Sequence, residues 1–111
     1  MVRERPFIAT YIMTNAPYGT LYVGATSDLY ARVGQHRIGA VEGFTKKHGL
    51  KRLVWYQPFE RITDAIQKEK SLKRYLRDWK INLIERDNPH WEDLSLAWDR
   101  SPVWKHGPEE T

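Results

Sequence analysis

Apolar and polar positions change their period several times along the chain, and each change marks an element. Residues 7–14, FIATYIMT, are dense in β-branched and aromatic side chains and predict a strand. NAPYGT follows, with Asn, Pro and Gly as turn formers. Residues 21–26, LYVGAT, predict a second strand, so the two form an antiparallel hairpin. Asp28 is a good N-cap for a helix running to about Ile38, with Leu29 and Val33 on its inward side. GAVEGFTKKHG is a glycine-bearing loop, and LKRLVWYQPF predicts a third strand stopped near Pro58. Thr63 or Asp64 is placed to cap a long helix over 65–79. Its apolar stripe runs Ile62, Ala65, Ile66, Leu72, Leu76, Trp79 and Leu83, the three-or-four step of a buried face. A further helix is expected over 81–86, and Asn88 before Pro89 reads as its stop. NPHWEDLSLAW has room for one short helical turn.

The order is β-β-α-β-α-α, and a three-stranded antiparallel-type sheet flanked by helices is its natural α+β solution. The third strand follows a helix, so it is not expected simply to extend the hairpin meander. Residues 1–98 are expected to form one domain, and 99–111, DRSPVWKHGPEET, a polar tail. A length of 111 residues suits one modest core.

Composition excludes several classes. Hydrophobic residues make up 41% and charged residues 29%, an ordinary globular balance. No apolar run reaches the roughly 18 residues of a spanning helix. MVRERPF lacks the apolar stretch of a secretory leader, so none is expected. With no cysteine, disulfides and thiolate chemistry are excluded, which fits a cytoplasmic location. His36, His48, His90 and His106 have no zinc-ligand spacing.

The net charge of +4 is compatible with nucleic acid, and its distribution says more. IQKEKSLKRYLRDWK carries Lys68, Lys70, Lys73, Arg74, Arg77 and Lys80 against Glu69 and Asp78. KKHGLKR is a second basic group. Both are either solvated surface or a phosphate-facing patch.

Three departures from pattern stand out. Glu69 lies where the long helix should be apolar, and a carboxylate there needs a partner. Glu69 is therefore either part of a structural ion pair, with Arg32 for instance, or an acid/base group or the ligand of a cation such as Mg²⁺ completed by water and phosphate. Arg32 and His36 are four residues apart and share a helix face, either an exposed polar one or one that clamps a phosphate. Tyr11 and Tyr22 fall on one sheet face when Tyr11 pairs with residue 22 or 24, and Gly24 leaves room there for a ligand or another backbone. Both tyrosines are otherwise ordinary strand residues.

Together these residues resemble the GIY-YIG nuclease superfamily, in its small stand-alone bacterial branch. The first motif is degenerate, Ala9-Thr10-Tyr11, and lacks the family's glycine and isoleucine; the second is Tyr22-Val23-Gly24. LYVGATSDLYARVGQH, GFTKKHGLKRLVWYQPF, AIQKEKSLKRY and NPHWEDLS carry the likeness over residues 7–98. The resemblance implies metal-dependent cleavage of a DNA phosphodiester. It implies that Tyr11 and Tyr22 flank the attacking water and that Arg32 stabilises charge on the phosphorane. Glu69 would hold one Mg²⁺ or Mn²⁺, and His36 would assist proton transfer or orient Tyr11. Lys46 and Lys47, with Lys73 and Arg74 of the basic stretch, are the candidate nucleic-acid contacts. A late asparagine is common in the family; Asn82 and Asn88 are candidates, and neither has its spacing.

Two other functions are compatible with the chain. One is a nucleic-acid-binding module on the same fold with weak turnover. The other is a protein-interaction domain using exposed tryptophans. Of the five tryptophans, Trp55 and Trp79 are expected in the core, Trp91 and Trp98 against it, and Trp104 in the tail.

Overall fold

The computed structural model describes residues 7–39 and 47–100. Its elements are β1 (Ala9–Thr14), β2 (Leu21–Thr26), α1 (Leu29–Arg37), β3 (Arg52–Pro58), α2 (Ile62–Lys73), α3 (Arg77–Asp87) and α4 (Leu96–Arg100). The expected α+β order is present, with α4 as the short helical turn added at its end. The strands form one sheet in the order β2-β1-β3, with β1 central and antiparallel to both neighbours. The third strand thus crosses to the far side of β1 and leaves β2 as an edge.

Alternation along β1 divides its side chains between two cores. Ala9, Tyr11 and Met13 meet Leu29 and Val33 of α1 with Leu50 and Leu53. Ile12 faces the other way, toward Val23, Val54, Trp55, Leu72, Ile84 and Trp91. A register shift between Ile12 and Met13 against β3 makes Val54 an extra residue. This bulge lets Val54 and Trp55, consecutive in sequence, enter the same core.

Asp28 caps α1 as expected, its side chain accepting from the Ala31 amide at 3.3 Å. The cap of α2 falls earlier than the sequence suggests. Arg61 takes the extended N-cap conformation without a side-chain bond, and Asp64 lies in the first turn, where its charge suits the helix dipole.

The long helix expected over 65–79 is two helices. α2 ends at Lys73, Leu76 is extended (ψ 155), and α3 starts at Arg77. The break holds neither proline nor glycine, so its cause is tertiary. Tyr75 packs against the second core, while Arg77 donates to the carbonyls of Tyr18 and Gly19 at 2.7 and 2.8 Å. The Tyr18 hydroxyl bonds Glu85, which also accepts from Trp91 Nε1 at 2.7 Å, so the β1–β2 turn is tied to α3. The expected stripe is therefore only partly buried: Ala65 and Leu72 are in it and Leu83 packs against the second core, while Ile62 and Ile66 are exposed. Leu76 is 63% exposed and Trp79, expected in the core, is 55% exposed.

Trp55 and Trp91 are buried as expected, and the Trp98 ring packs on Tyr30 at 4.4 Å. The remainder of the expected tail, 101–111 with Trp104, lies outside the described residues. No helix among the described residues is long and apolar enough to cross a membrane.

Asn88 terminates α3 and does more than stop it. Its buried side chain donates to the carbonyls of Val54 (3.1 Å) and Glu92 (2.9 Å) and accepts from the Glu92 amide (3.0 Å). It is a strut between β3 and the segment after α3. Asn88→Ala strands these buried groups and is expected to cost about 2 kcal/mol in urea denaturation. Asn82→Ala, on the exposed surface, should change stability by less than about 0.5 kcal/mol.

Candidate active site

The register pairs Tyr11 with Gly24, which puts Tyr11 and Tyr22 on one face of the hairpin. Gly24 is required by contact. A Cβ built there would sit 2.6 Å from both Cζ and the hydroxyl oxygen of Tyr11. The space that Gly24 leaves is filled by the Tyr11 ring rather than by a ligand or a second backbone. The ring crosses the edge strand at its one position without a side chain, and so brings the phenol toward the β2 edge.

α1 delivers His36 to that phenol. The Tyr11 hydroxyl and His36 Nε2 are 3.0 Å apart in a buried hydrogen bond. The Tyr22 and His36 ring centroids are 5.7 Å apart, and those of Tyr11 and Tyr22 6.3 Å, so three rings surround one point. Arg32, one turn earlier on α1, places a positive charge near the Tyr11 phenol that acts to lower its pKa, though not enough to prevail. Burial, and after it Tyr22, pushes the Tyr11 phenol above its ordinary range. Burial, then the Arg32 charge, lowers His36 to about 4. Both partners of the hydrogen bond are therefore neutral at neutral pH. His36 Nδ1 is buried without a protein partner.

Glu69 approaches from the helix on the other face. Ala65 and Leu72 are the buried residues of α2, and Glu69 lies on the same line between them. α2 packs on β2 and β1, and the Thr10 hydroxyl donates to the Ala65 carbonyl at 2.7 Å. In a helix that carbonyl is also the acceptor of the Glu69 amide. Thr10, which replaces the family isoleucine in the first motif, therefore ties the turn that carries Glu69 to the central strand. The Glu69 side chain is 19% exposed and pairs with Lys73 at 2.7 Å, rather than with Arg32. Its charge reaches Tyr11 and is among the influences that raise the phenol pKa.

Tyr11, Tyr22, Arg32, His36 and Glu69 are thus assembled from both sheet faces at the β2 edge. Of the nucleic-acid candidates, Lys73 and Arg74 lie at the end of α2, and Lys47 is exposed. Lys46 lies outside the described residues. A cavity of about 780 Å³ lies elsewhere, lined in part by Asn15, Lys51, Arg52 and Asp93. Arg52 there bonds the Trp91 carbonyl, and Asp93 accepts from the Leu53 and Ser95 amides. The role of Thr10 escapes sequence reasoning, its only signal being a hydroxyl in an otherwise apolar central strand.

The chain matches the GIY-YIG catalytic domain family over residues 7–82. It belongs to that family. A UPF0213 protein of Staphylococcus aureus (strain COL) is 34% identical over 67 residues, spanning 60% of this chain and 82% of the relative. The UPF0213 protein of Staphylococcus aureus (strain Mu3) matches to the same extent. The solution structure of a UPF0213 protein from Bacillus halodurans superposes with a TM-score of 0.50 at 26% identity, over 79% of this chain and 93% of that one. None of these names states an activity. Membership in the GIY-YIG family suggests a nuclease-type function on a nucleic-acid substrate, and enzymes of this family generally use a divalent metal.

Among the described residues no three His, Asp or Glu side chains form a metal cage. One sheltered carboxylate is nonetheless what Mg²⁺ requires when water and phosphate complete its octahedron, and Glu69 meets that requirement.

Two predictions follow from this packing. Gly24→Ala drives a methyl into the Tyr11 ring and should cost about 1–3 kcal/mol, with loss of the Tyr11–His36 hydrogen bond in the imidazole NMR spectrum. Because His36 is harder to protonate folded than unfolded, stability is full above pH 6.5 and declines as pH falls toward about 4. His36→Gln should flatten that part of the stability-versus-pH curve in urea titrations.

Proposed function

We propose that this chain is a divalent-metal-dependent endonuclease that hydrolyses DNA phosphodiester bonds. Its cleavage is structure-selective or weakly sequence-selective. DNA repair, recombination or uptake is the fitting setting. The observation that carries the reading is Glu69, a carboxylate on the buried line of α2 whose charge acts on a phenol delivered from the opposite sheet face.

In the proposed reaction, water attacks phosphorus as the bond to the leaving ester oxygen breaks. Tyr11 and Tyr22 position that water. The Tyr11 hydroxyl bonds His36 Nε2, which gives its proton an outlet. As the Tyr11 oxygen takes a proton from water, its own proton passes to His36, so the phenol stays neutral while the negative charge building on the phosphate offsets the burial and Arg32 charge that disfavour the imidazolium. That route suits a buried phenol with a raised pKa, for which free phenolate is costly. Arg32 faces the added negative charge of the phosphorane with a guanidinium able to bind two of its oxygens. Glu69 would hold one Mg²⁺ or Mn²⁺, which when bound supplies Lewis-acid charge to the phosphate and the leaving oxygen. Lys73 must release Glu69 for that, and its half-exposed ammonium is then free for a neighbouring phosphate. Lys46, Lys47 and Arg74 extend the phosphate-facing charge.

The test is a cleavage panel of single-stranded, duplex and branched DNA with Mg²⁺ or Mn²⁺. Wild type should cut at least one substrate. Glu69→Ala should reduce the rate on the order of 1000-fold and Arg32→Ala on the order of 100-fold or more, both with unchanged circular dichroism. A wild-type protein that binds DNA at low salt and cuts none of these substrates is a binding module instead.

A further inference from the structure

The corner between α2 and α3 has features that the catalytic reading does not use. The break at Arg74–Leu76 turns Leu76 and Trp79 outward, and both are more than half exposed. Trp79 is not loose on the surface. Its ring meets Tyr75 edge-on, with centroids 5.6 Å apart and planes 81° apart, and Tyr75 is packed against the second core. Lys70, Lys73, Arg74, Arg77 and Lys80 surround this pair in sequence, against one acid, Asp78.

We propose that Trp79, with Leu76 beside it, is a stacking platform for an unpaired base of the nucleic-acid strand held at the active site. The inference rests on the nuclease reading and adds to it a substrate class, strands with unpaired nucleotides. Three observations carry it. First, an indole held by a core-anchored tyrosine and open on its other side is oriented in advance, so little entropy is lost when a base stacks on it. Second, the surrounding charge is complementary to a phosphate backbone and opposes a second copy of this chain, which would bring five further cations against these. Third, the corner is continuous with the site. Lys73 lies one helical turn beyond Glu69, and Arg77 is fastened to the turn that leads into β2, the strand of Tyr22 and Gly24. A strand following the β2 edge away from Glu69 meets this corner. An intact duplex keeps its base faces stacked inside and cannot use the platform.

The experiment measures binding without divalent cation, by fluorescence anisotropy of labelled oligothymidylate and of a blunt duplex of equal length at low salt. Trp79→Ala should weaken oligothymidylate binding on the order of 10-fold and leave duplex affinity within about two-fold. Trp79→Phe should recover most of the loss. Arg74→Ala should reduce the salt dependence of binding to both DNAs, and Trp79→Ala should not. The exposure of Trp79 makes a folding defect an unlikely complication, and circular dichroism of each variant checks it.

Unchanged oligothymidylate binding by Trp79→Ala, or an equal loss for both DNAs, overturns the proposal. So does a wild-type dimer in analytical ultracentrifugation that Trp79→Ala dissociates, which would make the patch a contact between copies. The nuclease reading fails separately, on the cleavage panel with Glu69→Ala, because neither this binding assay nor its variants depend on turnover.

Discussion

The contact between the Tyr11 ring and Gly24 is the constraint on which the site depends. A tyrosine at the centre of a three-stranded sheet would ordinarily end its days in a core. Here it crosses the edge strand because the residue opposite has no side chain, and a single methyl would stand 2.6 Å from the phenol carbon. The crossing does two things at once. It buries the ring, which keeps the phenol protonated, and it brings the hydroxyl to His36 of α1. The same geometry fixes the register, since a one-residue slip would move Tyr11 opposite a side chain and send Tyr22 to the other face.

Around that contact the sheet acts as a partition. α1 on one face contributes Arg32 and His36, and α2 on the other contributes Glu69. Each helix is anchored independently: α1 by Leu29 and Val33 in the first core, α2 by Ala65 and Leu72, with the Thr10 hydroxyl on the Ala65 carbonyl. The central strand thus positions both halves, Tyr11 from its odd-numbered face and Thr10 from its even-numbered one. The degenerate first motif is packed on both faces. Ala9 supplies a small buried residue and Thr10 a tether, so the backbone that presents Tyr11 keeps its packing on both sides.

Legibility in the sequence followed the range of the interactions involved. The hairpin, the Asp28 cap and the grouping of Tyr11, Tyr22, Arg32 and His36 depend on contacts near in sequence or on strand alternation, and the pattern shows them. The end of α2 does not. Leu76 and Trp79 continue the helical period, and only the tethering of Arg77 to the hairpin turn and the burial of Tyr75 decide that the helix stops. Those contacts span about sixty residues of chain, as between Arg77 and Tyr18. Gly24 was legible as a space but not as to its occupant. Asn88 was legible as a helix stop, while its bonds to Val54 and Glu92 were invisible without the strand and segment it joins. Glu69 is the reverse case: much of the apolar stripe is exposed, yet the anomaly within it lies on the line of Ala65 and Leu72 that is buried.

The charges at the site explain why such an anomaly persists. Tyr11 and His36 are both neutral, held so by burial, and the Glu69 carboxylate further discourages a phenolate. Taken alone, that arrangement opposes proton abstraction from water. In the proposed reaction it is offset by positive charge on the Glu69 side and negative charge developing opposite Arg32. Lys73 shows that the carboxylate readily takes a cation, at the cost of no more than a surface ion pair. The proton affinity of Tyr11 thus responds to the charge at Glu69, though less than to burial and Tyr22. On the proposed route, a cation at Glu69 would offset one of the influences that hold the Tyr11 proton in place, and the phosphate opposite Arg32 would offset the charge that disfavours the His36 imidazolium.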